Sequence, residues 1–193
     1  MKGMAAKDVR ASVACRHEAA HAVMRYLVCL PSTNVSAAGA KGSVKAQAPG
    51  GEPLQALYST LAGVAAEADY DPEAVNWATS RFKGIDCARE LLESAMMLRF
   101  IASAAPRFES VQRSLQRHFR GVCHVLTPFR AVVEALAVEL SARGRLSGRS
   151  AAALLTARMR EVPKEELPRL RRASPEFWMI REGFAVDQKG ATR

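Results

Sequence analysis

The sequence predicts a mainly α-helical protein with one small β-hairpin, and three observations support this fold class. Aromatic residues make up only 6% of the chain and alanine is abundant, which favours packed helices over a sandwich or barrel. Apolar residues recur at spacings of three and four between proline and glycine breaks. The length of 193 residues, with 49% apolar and 24% charged side chains, suits one globular domain and excludes a disordered or fibrous chain.

The first predicted helix runs from about Asp8, its expected N-cap, to the break at Pro31. Residues 31–53 are rich in Pro, Gly, Ser and Ala and are predicted to be largely irregular. Two strand-like pieces within them, Thr33 to Ala37 and Ser43 to Gln47, are expected to pair as a hairpin beside the first helix.

The second helix is predicted to begin at Pro53, because proline suits the first helical position. Its centre is small enough to let another backbone approach closely and consists of Ala62, Gly63, Ala65 and Ala66. The Asp71-Pro72 pair is expected to restart a helix briefly, until Gly84 interrupts it. A third long helix then follows over about 88–101.

Three further helices complete the predicted domain. Their apolar residues span 111–126, 132–140 and 152–159, and Pro128 and Gly144 separate them. The predicted division is a domain over 1–162 and a basic, aromatic tail over 163–193.

The net charge of +9 is concentrated in one part of the chain, because residues 107–172 contain 14 basic and 6 acidic side chains. Such a block can bind an acidic partner or nucleic acid. Arginines spread over solvated helix faces give the same count, and this interpretation is favoured. Nucleic acid is therefore disfavoured as a partner.

Cysteine usage and the N-terminal segment predict a cytoplasmic protein. The four cysteines, at 15, 29, 87 and 123, form no C-x-x-C pair, which favours reduced thiols over a disulfide framework or zinc ribbon. The first residues lack the apolar core of a signal peptide, and no stretch reaches the 18 or so apolar residues of a membrane span.

The sharpest chemical feature is the H-E-x-x-H motif of residues 17–21 in the first helix. His17 and His21 lie one turn apart on the same face, so both imidazoles can reach a single Zn²⁺. Glu18 lies beside that face, where it can accept a proton from an attacking water. Random placement would give roughly 0.006 such motifs in a chain of this composition. The alternative is that the histidines are ordinary helix residues hydrogen-bonded at a packing interface.

Four segments together resemble the peptidase domain of FtsH-type ATP-dependent metalloproteases. The zinc helix of that family resembles residues 14–23, ACRHEAAHAV, and its small-residue helix resembles residues 61–67, LAGVAAE. The segment holding its third metal ligand resembles residues 84–91, GIDCAREL, and its closing helix and turn resemble residues 133–148. The resemblance covers about residues 13–157 and implies a helical zinc peptidase fold.

The resemblance nominates Asp86 as the third zinc ligand, and the start of a helix favours a carboxylate there. Glu67 is the rival ligand, although we favour it as an acceptor that orients one imidazole through its free N–H. The chain departs from the family pattern at Ala20, where glycine is usual. It also departs before Asp86, where Ile85 stands in place of the usual asparagine. Nothing fits the G-x-x-x-x-G-K-[ST] pattern of an ATPase motor.

The predicted function is zinc-dependent hydrolysis of peptide bonds in peptides or unfolded protein segments. Zinc held by His17, His21 and Asp86 would polarise the scissile carbonyl, with Glu18 as the general base. Without a motor in the chain, the peptidase would act alone, with a separate ATPase, or as a homo-oligomer. The alternative function is an inactive helical module that binds an acidic partner or nucleic acid through residues 107–172.

Overall fold

Helices form most of the structure, a computed structural model that describes residues 12–28, 30, 32–37, 43–46, 53–74, 91–98 and 111–161. The predicted mainly helical fold with a small sheet is confirmed for these residues. In chain order the elements are α1 (Val13–Leu27), β1 (Ser32–Ser36), β2 (Ser43–Ala46), α2 (Pro53–Glu67), α3 (91–98), α4 (Val111–Leu126), α5 (Arg130–Arg143), β3 (Arg145–Ser147) and α6 (Gly148–Met159). The predicted tail over 163–193 lies outside the described residues.

Helix α1 begins later than the sequence predicted. Ser12 is its N-cap, with an extended backbone (ψ 157°) and a hydroxyl oxygen that accepts a hydrogen bond from the Cys15 N–H at 3.2 Å. The prediction of Asp8 as the N-cap is therefore wrong. Serine and aspartate are comparable caps, so residue type alone could not decide between them.

Helix α2 begins at Pro53, as predicted, and ends at Glu67. The turn that follows places two non-glycine residues in the left-handed region, Asp69 with φ 52° and Tyr70 with φ 62°. The brief helix predicted after Asp71 is not found at residues 71–74. There the Asp71 carboxylate accepts the Glu73 N–H at 2.9 Å, which satisfies the backbone in a turn. Gly84 lies outside the described residues.

The sheet contains the predicted hairpin and one strand that was not predicted. Strand β1 pairs antiparallel with β2 on one side and with β3 on the other. Val35 of β1 lies opposite Leu146 of β3, and both side chains are buried. Gly144, with φ 68°, ends α5 and leads the chain directly into β3. Three residues are too few to show an alternating pattern, so the sequence did not reveal β3.

Helix α1 occupies the core, because it packs against both α2 and α5, while α4 packs on α2. The hairpin lies beside α1, and α6 contacts both α1 and β1. The largest fully buried side chains come from four of these helices and the turn before α5, and include Met24, Leu27, Leu57, Leu61, Phe119, Phe129, Leu136 and Leu140. This packing fixes α1 and α2 against each other along the face that carries the histidine motif.

The helical run Val111–Arg143 is long and apolar enough to be a membrane-spanning candidate by length and composition, with a mean hydropathy of 1.4 over its best window. A turn of 3-10 helix over Thr127–Phe129 divides this run into α4 and α5. Half of the window is buried inside the fold. Core helices commonly have this composition, so it does not by itself assign the run to a membrane.

Candidate metal centre

The two histidines of α1 meet at the interface with α2. His17 is only 5% exposed, and its Nε2 atom lies 3.0 Å from the Nε2 atom of His21. The rings stand nearly perpendicular, at 81°, with their centroids 4.6 Å apart. The spacing of four residues therefore brings the two imidazoles to one point, as the sequence predicted.

The other nitrogen of each imidazole is held by an acceptor on α2. The Nδ1–H of His17 donates to the Oε1 atom of Glu67 at 2.7 Å, and the Nδ1–H of His21 donates to the backbone carbonyl of Ser59 at 2.6 Å. A carboxylate and a carbonyl can only accept, so the proton of each neutral ring is on Nδ1. Each Nε2 atom consequently presents a lone pair.

Gly63 provides the space into which the imidazoles pack. A Cβ atom at this position would lie 2.5 Å from the Cε1 and Nε2 atoms of His17 and 2.7 Å from the Nε2 atom of His21. Gly63 also lies one helical turn after Ser59, so its missing side chain leaves the Ser59 carbonyl accessible. The small centre of α2 therefore admits the two imidazole rings.

The arrangement of the two Nε2 atoms fits a divalent cation. Two lone pairs facing each other at 3.0 Å repel unless a proton or a cation lies between them. Two nitrogens bound to one tetrahedral zinc at the usual distances lie about 3.3 to 3.4 Å apart, within a few tenths of an ångström of the spacing found here. Imidazole nitrogens are also among the ligands that zinc prefers.

The described residues offer no third ligand for such an ion. Within those ranges, no group of three His, Cys, Asp or Glu side chains could hold a metal ion. Asp86, which the resemblance nominates, lies outside them. Glu67 contacts Nδ1 of His17, the nitrogen that faces away from the Nε2 pair. This contact favours Glu67 as the acceptor that orients the ring over Glu67 as a ligand.

Glu18 follows His17 on α1 and is buried, at 5% exposure. A carboxylate removed from water beside an ion-binding site can serve as a proton acceptor, since the low local dielectric strengthens its interactions. Ala20, where the resemblance leads one to expect glycine, is fully buried. Its methyl group is accommodated in the α1 packing.

The basic part of the chain, over residues 111–161, carries its arginines on several elements. All nine of its arginines are exposed and they are distributed over α4, α5, β3, α6 and the turn after α6. Arg120, Arg130, Arg143 and Arg158 form ion pairs with Glu73, Asp69, Glu139 and Glu161, respectively. This distribution is typical of solvated helix surfaces, and a binding role for residues 107–172 stays a prediction.

Sequence reasoning did not identify two contributions to this site. The Ser59 carbonyl is a backbone group, so no residue type in the sequence indicates its role. Gly63 was noted only as part of a small surface, although a glycine within a helix and among small residues indicates a close approach by another group.

No protein-family model and no curated protein matches the sequence. A functional assignment for this chain therefore depends on the chemistry of its own residues.

Proposed function

We propose that this chain is a zinc-dependent peptidase that hydrolyses peptide bonds in peptides or unfolded protein segments. The observation that carries the proposal is the pair of Nε2 atoms 3.0 Å apart, each on a ring whose Nδ1–H is held by an acceptor. A structural histidine pair needs only one hydrogen bond between its rings. Two rings with the same tautomer and converging lone pairs are typical of metal ligands.

Different residues of the chain would have different roles in such a site. His17 and His21 would bind the ion, and Asp86 is the proposed third ligand, which leaves a fourth position open for solvent. When bound, zinc supplies Lewis acidity that polarises a carbonyl and brings the pKa of water to about 7. Glu18 would take the proton of the attacking water and return it to the leaving nitrogen.

Glu67 would stabilise the site without touching substrate. Its carboxylate holds the His17 ring in one tautomer and one orientation, and it makes the ring a stronger base toward a cation. The Ser59 carbonyl does the same for His21. Both acceptors belong to α2, so the packing of α1 on α2 preorganises the two ligands.

The test compares the wild-type chain with Glu18→Gln. We expect about one zinc per chain in both proteins, because the substitution leaves the imidazoles in place. Cleavage of an unfolded casein-like substrate should fall by about 10²- to 10⁴-fold in the variant, since glutamine cannot accept the proton.

The matched control is Glu139→Gln, which changes a partly exposed carboxylate that pairs with Arg143 on α5. It should cleave at the wild-type rate. If Glu18→Gln cleaves as fast as the wild type, or if the wild type binds no zinc when metal is supplied, the proposal is wrong.

A further inference from the structure

Helix α5 packs against α1 and reaches the turn that follows α2. Glu134 of α5 forms an ion pair at 3.8 Å with Arg16, which precedes His17 on α1. Arg130, also of α5, reaches Asp69 in the turn that ends α2, two residues after Glu67. The ion pairs of α5 therefore extend to the two segments that carry His17 and its acceptor.

The turn after α2 has a conformation that its residues do not favour. Asp69 and Tyr70 are both left-handed, a region that L residues rarely occupy and that two consecutive non-glycine residues occupy more rarely still. The turn nevertheless closes the helix, because the Tyr70 N–H donates to the Ala65 carbonyl at 2.8 Å and the Asp69 N–H donates to the Ala66 carbonyl at 3.2 Å. Such a conformation persists only where the surroundings hold it.

Arg130 supplies three of the contacts that hold this turn. Its guanidinium forms an ion pair with the Asp69 carboxylate and donates a hydrogen bond to the Asp69 carbonyl at 3.1 Å. It also lies over the ring of Tyr70, 5.1 Å from the centroid. Tyr70 is itself 8% exposed, and burial raises the pKa of its phenol, so the ring under the guanidinium stays neutral. A lone exposed ion pair would contribute little, but these contacts fix both left-handed residues.

We propose that Arg130 is a positioning residue of the histidine site, which holds the Asp69–Tyr70 turn and thereby keeps Glu67 where its carboxylate reaches His17. Glu67 is the last residue of α2, so the end of the helix sets the direction of its side chain. If the turn relaxes, the 2.7 Å bond to Nδ1 of His17 is the first contact with the site to lengthen. A role of Arg130 in catalysis rests on the proposed function, whereas the effect of Arg130 on His17 does not.

The first experiment measures the tautomer of His17 in the metal-free protein at pH 8 by the ¹⁵N chemical shifts of its ring. In the wild type we expect the Nδ1–H form. In Arg130→Ala the fraction with the proton on Nε2 should rise. The matched control is Arg143→Ala, which removes an exposed arginine of the same helix that forms an ion pair with Glu139 of α5, and it should leave the tautomer unchanged.

The second experiment measures Co²⁺ affinity by competition with a chelator. Arg130→Ala should weaken binding by roughly three- to tenfold, less than the 10- to 100-fold expected when a ligand's direct partner is lost. In Glu67→Ala, the further change Arg130→Ala should have no added effect, because Arg130 acts through Glu67. Additive losses would show that Arg130 acts by another route and would overturn the proposal.

Asp69→Asn keeps the test decisive if Arg130→Ala does not fold. Asparagine tolerates the left-handed conformation but removes the charge that pairs with Arg130, so the same changes should appear at smaller size. A wild-type tautomer ratio in every folded variant of this turn would overturn the positioning role, even if zinc binds. A shifted tautomer in a chain that binds no metal would support the positioning role and remove the peptidase proposal.

Discussion

The α1–α2 interface and the α4–α5 half of the molecule, which comprises residues 111–143, differ in the kinds of side chain that they bury. Helices α1 and α2 bury large apolar side chains too, but the histidine pair lies between them together with small side chains, of which Ala20, Ala62 and Ala65 are fully buried. The α4–α5 half buries large apolar side chains, among them Phe119, Phe129 and Leu136, and places its arginines outside.

This difference separates two physical roles. Large apolar groups stabilise the fold in proportion to the area they remove from water. The buried imidazole of His17 and the partly buried one of His21 gain less from burial and depend on satisfied hydrogen bonds, which the Glu67 carboxylate and the Ser59 carbonyl provide. We therefore expect substitutions in the α4–α5 half to change stability, and substitutions in the interface to change metal binding.

The largest change in stability is expected from Phe119→Ala. Phe119 is fully buried on α4, so the truncation should lower the free energy of unfolding by about 3 to 5 kcal/mol. Urea denaturation followed by circular dichroism measures this loss. Val138→Ala, on an exposed position of α5, is the control and should change little. A folded Phe119→Ala protein with impaired zinc affinity would break the separation between the two regions.

Gly63→Ala should affect the interface more than the fold. The new methyl group would lie 2.5 Å from the His17 ring, so the rings or the helices must shift. We expect zinc affinity to fall at least tenfold, with a loss of about 1 to 3 kcal/mol in stability from overpacking. Competition with a chelator and urea denaturation measure the two quantities.

Gly121→Ala is the matched glycine control for that change. A Cβ atom at Gly121 would lie 3.2 Å from the Tyr58 hydroxyl, away from the Nε2 pair. The gain in helix propensity offsets this crowding, so stability should stay within about 1 kcal/mol of the wild type. Zinc affinity should not change. Equal losses of affinity in both glycine variants would show that helix packing in general, and not the space beside the histidines, controls the site.

Glu67→Gln tests whether the negative charge of Glu67 contributes to zinc affinity. Glutamine can still accept a hydrogen bond from His17, but it removes the negative charge that makes the ring a stronger ligand. We expect zinc affinity to fall by about tenfold, at the lower end of the range for such partners. Glu73→Gln, at an exposed carboxylate that pairs with Arg120, should leave affinity unchanged. A Glu67→Gln protein with wild-type affinity would exclude an electrostatic contribution from Glu67.

The sequence predicted those parts of the fold that local chemistry decides. Pro53 begins α2 and Gly144 ends α5 because the backbone preference of each residue acts at its own position in the chain. Strand β3 depends on pairing with β1, more than a hundred residues earlier in the chain, and no local pattern encodes it.

The site was predictable to a similar degree. The spacing of His17 and His21 fixes their common face, because it follows from the period of a helix. The contact of His21 with the Ser59 carbonyl follows from how α1 meets α2, and that geometry depends on Gly63 as a point of close approach. Helix period determines which residues share a face, whereas tertiary packing determines what that face meets.

The smallest effect is expected at the surface of the α4–α5 half. Arg120 donates to Glu73 at 2.9 Å, but the two side chains are 61% and 71% exposed. A double-mutant cycle with Arg120→Ala and Glu73→Ala should give a coupling of about 0.2 to 1 kcal/mol at low salt, measured by urea denaturation, and less in 1 M salt because ions screen the pair. Zinc affinity should be the same in all four proteins. A coupling above about 2 kcal/mol, or a change in affinity, would mean that the arginines of this half are linked to the interface and do more than solvate the helix surface.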